Sequence, residues 1–182
     1  AFRDRYPGPQ FGVPGTRQLA GVPKLPLVGT IIKPSVGLSP EATAAMVAQL
    51  AEGGIDFIKD DELQSNGPHC PLEARVKAVM AVLNAHAEKT GKKVMFAFNI
   101  TGEIDEMRTA HDTVLAHGGT SVMVSLNSIG LPGVTAMVSR RLPRVIAWSV
   151  PPVRPFSSAR VDGWRASRIS VRAVAISTIR PA

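Results

Sequence analysis

The sequence predicts an α/β protein in which parallel strands alternate with helices. Two observations carry this prediction. Between about Leu27 and Met137, short β-rich apolar runs recur, each followed by a polar turn and a helical stretch. The runs themselves are apolar almost without a break, which suits strands buried on both faces.

Residues 1–26 come first. They are rich in Pro and Gly, as in Tyr6-Pro7-Gly8-Pro9, and read as an extended lead-in segment rather than a domain. Leu27 to Ile32 supplies the first strand. Ser39 is placed to cap a helix with Pro40 at its first position, and Met46 and Leu50 lie four apart on one face. Gly53-Gly54 stops that helix, and Ile55 to Ile58 forms the second strand. The next helix runs from about Pro71 to Thr90, with Leu72, Val76, Val79, Met80 and Leu83 at helical spacing and Gly91 as its end. Val94 to Phe98 is the third strand. A helix from about Ile104 to His117 follows, with Met107, Val114 and Leu115 inward and Gly118-Gly119 as the stop. Ser121 to Leu126 is the fourth strand, and a fourth helix begins near Pro132. Leu142 to Ala147 reads as a fifth strand. These units fit either half of a (β/α)8 barrel or most of a small doubly wound sheet, and the pattern leaves both open.

Composition bounds the function. The chain has 182 residues with 45% hydrophobic and 19% charged side chains, enough to bury a core. No apolar run approaches the roughly 18–20 residues of a membrane span. The first five residues hold no apolar segment for a signal peptide. Cys70 is the one cysteine, so no internal disulfide forms, and a cytoplasmic location is expected. The net charge of +7 suggests a nucleic-acid partner until it is divided. Residues 1–137 carry 12 basic and 13 acidic side chains; residues 138–182 carry nine arginines and one acid, Asp162. The excess is confined to a tail rich in Arg, Ser and Pro whose alternation of elements is lost. That tail, 148–182, reads as irregular, either disordered or translated out of frame. It has no recognisable nucleic-acid module, so a basic-tailed binding protein is the lesser alternative.

Chemistry in parallel α/β folds gathers at the C-terminal ends of strands. Those ends deliver Lys33; then Lys59-Asp60-Asp61-Glu62; then Asn99 and Thr101; then Ser125, Asn127 and Ser128. A charge run is ordinarily a solvated turn. Directly after a buried strand it also suits a hard cation such as Mg2+, which takes one or two carboxylates plus other oxygens. Lys33 in a partly buried place can act as a base, or its stem can pack while its head reaches water. Asn99 can hydrogen-bond a substrate oxygen or satisfy nearby backbone groups. His69, His86, His111 and His117 lack metal-ligand spacing, no nucleophilic triad is visible, and no phosphate-binding glycine loop occurs.

Two blocks, Gly29-Thr30-Ile31-Ile32-Lys33-Pro34-Ser35-Val36-Gly37-Leu38-Ser39 and Gly53-Gly54-Ile55-Asp56-Phe57-Ile58-Lys59-Asp60-Asp61-Glu62, strongly resemble the RuBisCO large subunit and its RuBisCO-like relatives. The lead-in Gly8 to Arg17 is similar too, and the resemblance covers residues 1 to about 137. It implies the first four to five units of a (β/α)8 TIM barrel over residues 27–147, and a homodimer in which the partner's N-terminal domain completes each site. It implies that Lys33 works in enolising the substrate. Lys59 matches the lysine that CO2 carbamylates and that then binds Mg2+ with Asp61 and Glu62. The substrate implied is a phosphorylated keto sugar or keto acid. Ser35, Ile31, Leu63 and Val124-Ser125 stand where the carboxylating enzymes carry Lys, Thr, Asn and a His-Asp pair. These departures point away from CO2 fixation and toward the non-carboxylating form IV branch, whose members enolise or decarboxylate; a fragment of a true carboxylase, or an inactive pseudoenzyme, is the alternative. A chain with half of such a barrel is expected to turn over little or no substrate alone.

Overall fold

A computed structural model describes residues 12–139 and 145–148. The first eleven residues of the lead-in and all of the expected tail beyond Trp148 lie outside the described residues. The elements are α1 (Gly12–Ala20), β1 (Gly29–Ile31), α2 (Pro40–Glu52), β2 (Phe57–Lys59), α3 (Leu72–Thr90), β3 (Met95–Asn99), α4 (Ile104–Ala116), β4 (Ser121–Ser125), α5 (Leu126–Ser139) and β5 (Val145–Trp148).

The five strands are parallel and lie in the order of the sequence, β1-β2-β3-β4-β5. A doubly wound sheet reverses its strand order and carries helices on both faces. Here no reversal occurs. One face, with Ile58, Phe96, Phe98, Val122 and Val124, packs with Val47 of α2, Val76 and Val79 of α3, and Met107 and Val114 of α4. The choice left open by the sequence therefore falls to the barrel: the described sheet is one wall of it, with α2, α3 and α4 on the outside. Val47, Val76 and Val79 are fully buried, each a gain of about 1.5–3 kcal/mol over exposure.

The opposite face alternates with the first. Phe57, Met95, Ala97 and Met123 point there and cluster with Ala20 of α1, with Leu19, Val22 and Leu27 packed alongside. The extended lead-in expected over residues 1–26 is thus corrected for residues 12–20, which are helical. Pro14 does not prevent this, because it lies in the first turn, where its missing N–H has no intrahelical partner to lose.

Capping follows the sequence closely. Ser39 Oγ accepts the Ala42 N–H at 3.1 Å, and Pro40 opens α2. The buried stripe of α2 is Thr43, Ala44, Val47 and Ala51, however, with Met46 and Leu50 only partly buried beside it. Gly91 closes α3 in the left-handed region, φ 73°, where its N–H reaches Ala87 O at 2.8 Å. Two expectations shift. Strand β1 is not buried on both faces: Gly29 is exposed, and Thr30 and Ile31 are half-buried. Leu126 is helical rather than the end of the fourth strand; Gly130 (φ 64°, ψ 176°) then divides α5 in two, and its second part starts near Pro132 as expected.

Candidate active site

The parallel register brings the strand ends to one rim. Ile31 pairs with Lys59, Lys59 with Ala97, and Asn99 with Met123. The chain then leaves β1 at Lys33, β2 at Asp60 to Glu62, β3 at Asn99 and β4 at Ser125. Side-chain alternation puts Lys59 on the same face as Phe57, the face opposite α2, α3 and α4.

Two lysine–carboxylate pairs stand there. Lys59 is buried, and its Nζ meets Glu62 Oε1 at 2.8 Å, Asp60 O at 3.1 Å and Met123 Sδ at 3.5 Å. Lys33 Nζ is hydrogen-bonded to Asp61 Oδ2 and lies 3.0 Å from Ser35 Oγ. The partly buried lysine expected at position 33 is corrected: its side chain is 59% exposed, while that of Asp61 is 4% exposed. The reason is the edge position of β1, which leaves the chain after Ile32 open to solvent. Burial works to raise the Asp61 carboxyl, but the Lys33 ammonium and the Leu63 N–H outweigh it and hold the group below the usual carboxylate range.

Asp60 points the other way, into the protein. It is fully buried, its Oδ2 accepts from Arg75 Nε at 3.2 Å and from the Asn99 N–H at 2.9 Å. Burial pushes its carboxyl up to about 6 against the pull of Arg75. Of the carboxylates in the run, Asp60 is therefore spent on the interior, and Asp61 and Glu62 remain at the rim.

Asn99 is buried, and its side-chain amide is committed to protein. Nδ2 donates to Asp61 O at 3.1 Å and Glu62 O at 3.0 Å; Oδ1 accepts from Thr101 N at 3.0 Å and Thr101 Oγ1 at 2.6 Å. In this arrangement Asn99 braces the backbone of the Asp61–Glu62 loop. Thr101 Oγ1 in turn accepts the Ser125 N–H at 2.9 Å, so β4 joins the same network. A cleft of about 810 Å3 opens beside the rim between the N-terminal ends of α3 and α4; Asn66, Asn99, Thr101 and Asp105 line it, and the two lysine–carboxylate pairs do not.

Arg75 escaped the sequence reading. The signal was present: it lies three residues after Leu72 and four before Val79, within the apolar stripe of α3, where a charge needs a buried partner.

The donor set bears on a metal. Among the described residues no group of three or more His, Cys, Asp or Glu side chains could hold one. Asp61 and Glu62 together are the one or two carboxylates that Mg2+ accepts. Lys59, as an ammonium, repels a cation; as a carbamate it would be a third oxygen ligand and would release Glu62 from its ion pair. The residues fit Mg2+ on that condition.

Comparison with known proteins bears on the fold and the family. Residues 12–145 match the family described as ribulose bisphosphate carboxylase large chain, catalytic domain. A 3-oxo-isoapionate-4-phosphate transcarboxylase/hydrolase of Xanthobacter autotrophicus is 64% identical over 134 residues, 74% of this chain and 32% of that protein. A 3-oxo-isoapionate-4-phosphate decarboxylase of Rhizobium etli is 48% identical over 141 residues, 77% of this chain and 34% of its own length. Among solved structures, a rubisco-like protein from Burkholderia fungorum superposes with a TM-score of 0.75 at 44% identity, covering 82% of this chain and 36% of that one. The chain spans about a third of the length of the curated relatives it matches.

Proposed function

The chain belongs to the family of the ribulose bisphosphate carboxylase large chain, and on that premise we propose that it carries a Mg2+ and lysine site for enolising or decarboxylating a phosphorylated keto acid or keto sugar. The observation that supports this most is the double pairing at the rim, Lys33 with Asp61 and Lys59 with Glu62. It places two cations and two carboxylates where a barrel keeps its chemistry.

In this reading Lys59 gives up a proton, its nitrogen adds to the carbon of CO2, and a second proton leaves to give the carbamate anion. The change from ammonium to carbamate dissolves the Lys59–Glu62 attraction and turns both groups into oxygen donors beside Asp61. Mg2+, when bound, supplies Lewis acidity toward the substrate's carbonyl oxygen. With Asp61 engaged by the metal, Lys33 would be free to lose a proton to solvent and, as the neutral amine, would take the proton from the carbon next to the carbonyl. Asn99 holds the loop of Asp61 and Glu62 by its backbone. The substrate class follows from the names of the Xanthobacter and Rhizobium relatives, both of which act on a phosphorylated 3-oxo compound. A homodimer is the assembly proposed. Ser35 and Leu63, which replace a lysine and an asparagine of the carboxylating enzymes, weigh against CO2 fixation. No helix among the described residues is long and apolar enough to cross a membrane.

The partial reaction to follow is exchange of the substrate proton for deuterium, because full turnover is expected to be weak where β1 and β5 each have one strand neighbour among the described residues. With Mg2+ and bicarbonate, the chain is expected to wash deuterium into the carbon next to the carbonyl of the phosphorylated 3-oxo acid. Lys33→Met is expected to slow this by about 100-fold, within the span for a positioned acid–base group. No exchange above the buffer rate would overturn the proposal.

A further inference from the structure

We infer that Arg75 is a positioning residue of this site, setting the loop of Asp61 and Glu62 through Asp60 and Asn99 from the buried face of α3. The inference rests on the reading of that loop as a metal-binding one. The chain of contacts is continuous. Arg75 Nε holds Asp60 Oδ2 at 3.2 Å, and the same oxygen receives the Asn99 N–H at 2.9 Å. The Asn99 amide then holds the carbonyls of Asp61 and Glu62. On its other side Arg75 Nη1 donates to Cys70 O at 2.8 Å, with Ser65 O 3.5 Å away. One guanidinium thus grips both ends of the loop that runs from the metal carboxylates to the start of α3.

Stability alone is a poor reason for this arrangement. Both members of the pair have side chains with no exposure. A buried ion pair is often no better than a well-packed apolar pair of the same volume, because desolvation offsets the attraction. This one is not even fully satisfied: Asp60 Oδ1 and Arg75 Nη2 have no hydrogen-bond partner among the described residues. What the pair does supply is direction. Asp60 sits between Lys59 and Asp61, so fixing its carboxylate fixes the turn at which the backbone sends Lys59 to one side and Asp61 to the other. Groups that orient metal ligands from behind typically alter metal affinity by 10- to 100-fold when removed.

The test replaces the pair by apolar residues, Asp60→Leu with Arg75→Met, in the 182-residue chain, and adds Arg75→Lys as the conservative variant. Three readouts are taken: thermal midpoint, amide exchange at Leu63 and Gln64, and carbamate formation from [13C]bicarbonate with Mg2+. The amides of Leu63 and Gln64 bond to Asp61 Oδ1 at 2.9 Å and Asp61 O at 3.1 Å, and so report on the loop. The double variant is expected to stay folded but melt several degrees lower, since the Asn99 N–H and the Cys70 carbonyl lose their partners, to exchange these amides roughly tenfold faster and to lose at least about tenfold in carbamate. Arg75→Lys, which keeps the charge without the fork, is expected to fall between. A folded double variant with unchanged exchange, or with faster exchange and undiminished carbamate, overturns the inference. So does a double variant that fails to fold, since the pair then serves the fold. If the parent chain itself forms no carbamate, the metal reading fails, while the exchange rates still decide whether Arg75 sets the loop.

Discussion

At the N-terminal end of β2, Asp56 accepts the Val28 N–H at 2.9 Å and the Lys92 ammonium at 2.7 Å, joining the entry to β1 with the approach to β3. Burial acts to raise its carboxyl, but the Lys92 and Val28 bonds outweigh burial and lower it. A carboxyl depressed in the folded state contributes stability above its unfolded value, near 3.8, and loses it as pH falls through the lower folded value. Asp56→Asn is therefore expected to cost about 1–3 kcal/mol at pH 7. The gap from the parent should shrink below about pH 4, as thermal midpoints across pH 2.5–7 will register. The residues of the site differ in how legible they were. Lys59, Asp61 and Glu62 stood out because they are contiguous and follow a buried strand. In the charge run alone Asp60 looked the same as its neighbours; the family resemblance set it apart, and the partner on α3 gives the physical reason. Asn99 was visible as a strand-end amide, but which groups it serves depends on a loop that approaches from β2.

Among the elements, helix ends were read most securely, since capping chemistry is local. Ser39 accepts the Ala42 N–H as its position before Pro40 predicts. Ser39→Ala is expected to lower stability by about 1 kcal/mol, read as a drop of a few degrees in thermal midpoint, with Ser39→Asp restoring most of it. Gly119 illustrates a constraint the sequence did not reveal. It was expected only to stop a helix, yet a Cβ there would lie 2.4 Å from Val114 Cγ1, so the glycine also lets β4 start close against α4. The misplaced elements share a cause. Residues 12–20 contain Pro and Gly and score as irregular, but their helix is held by the inner face of the sheet, through Ala20 against Phe57, Met95 and Met123. Leu126 reads as the end of a strand because it continues an apolar run, and it is instead the first residue of α5, which packs Ile129 against the outer core.

For the molecule as a whole, strand order was the property that periodicity could not give, since a barrel wall and a doubly wound sheet have the same alternation. The family resemblance supplied it, and the unreversed order β1 to β5 agrees. That order turns separate strand ends into one rim, and the rim is why a lysine from β1 meets a carboxylate from the β2 loop. The proposal at the rim is that Lys59 becomes a carbamate and, with Asp61 and Glu62, binds Mg2+. The most direct measurement is 13C NMR of the chain in [13C]bicarbonate as Mg2+ is added. One carbamate resonance should grow with Mg2+, disappear in Lys59→Met and weaken in Asp61→Asn. No resonance, or one that survives Lys59→Met, would contradict the claim.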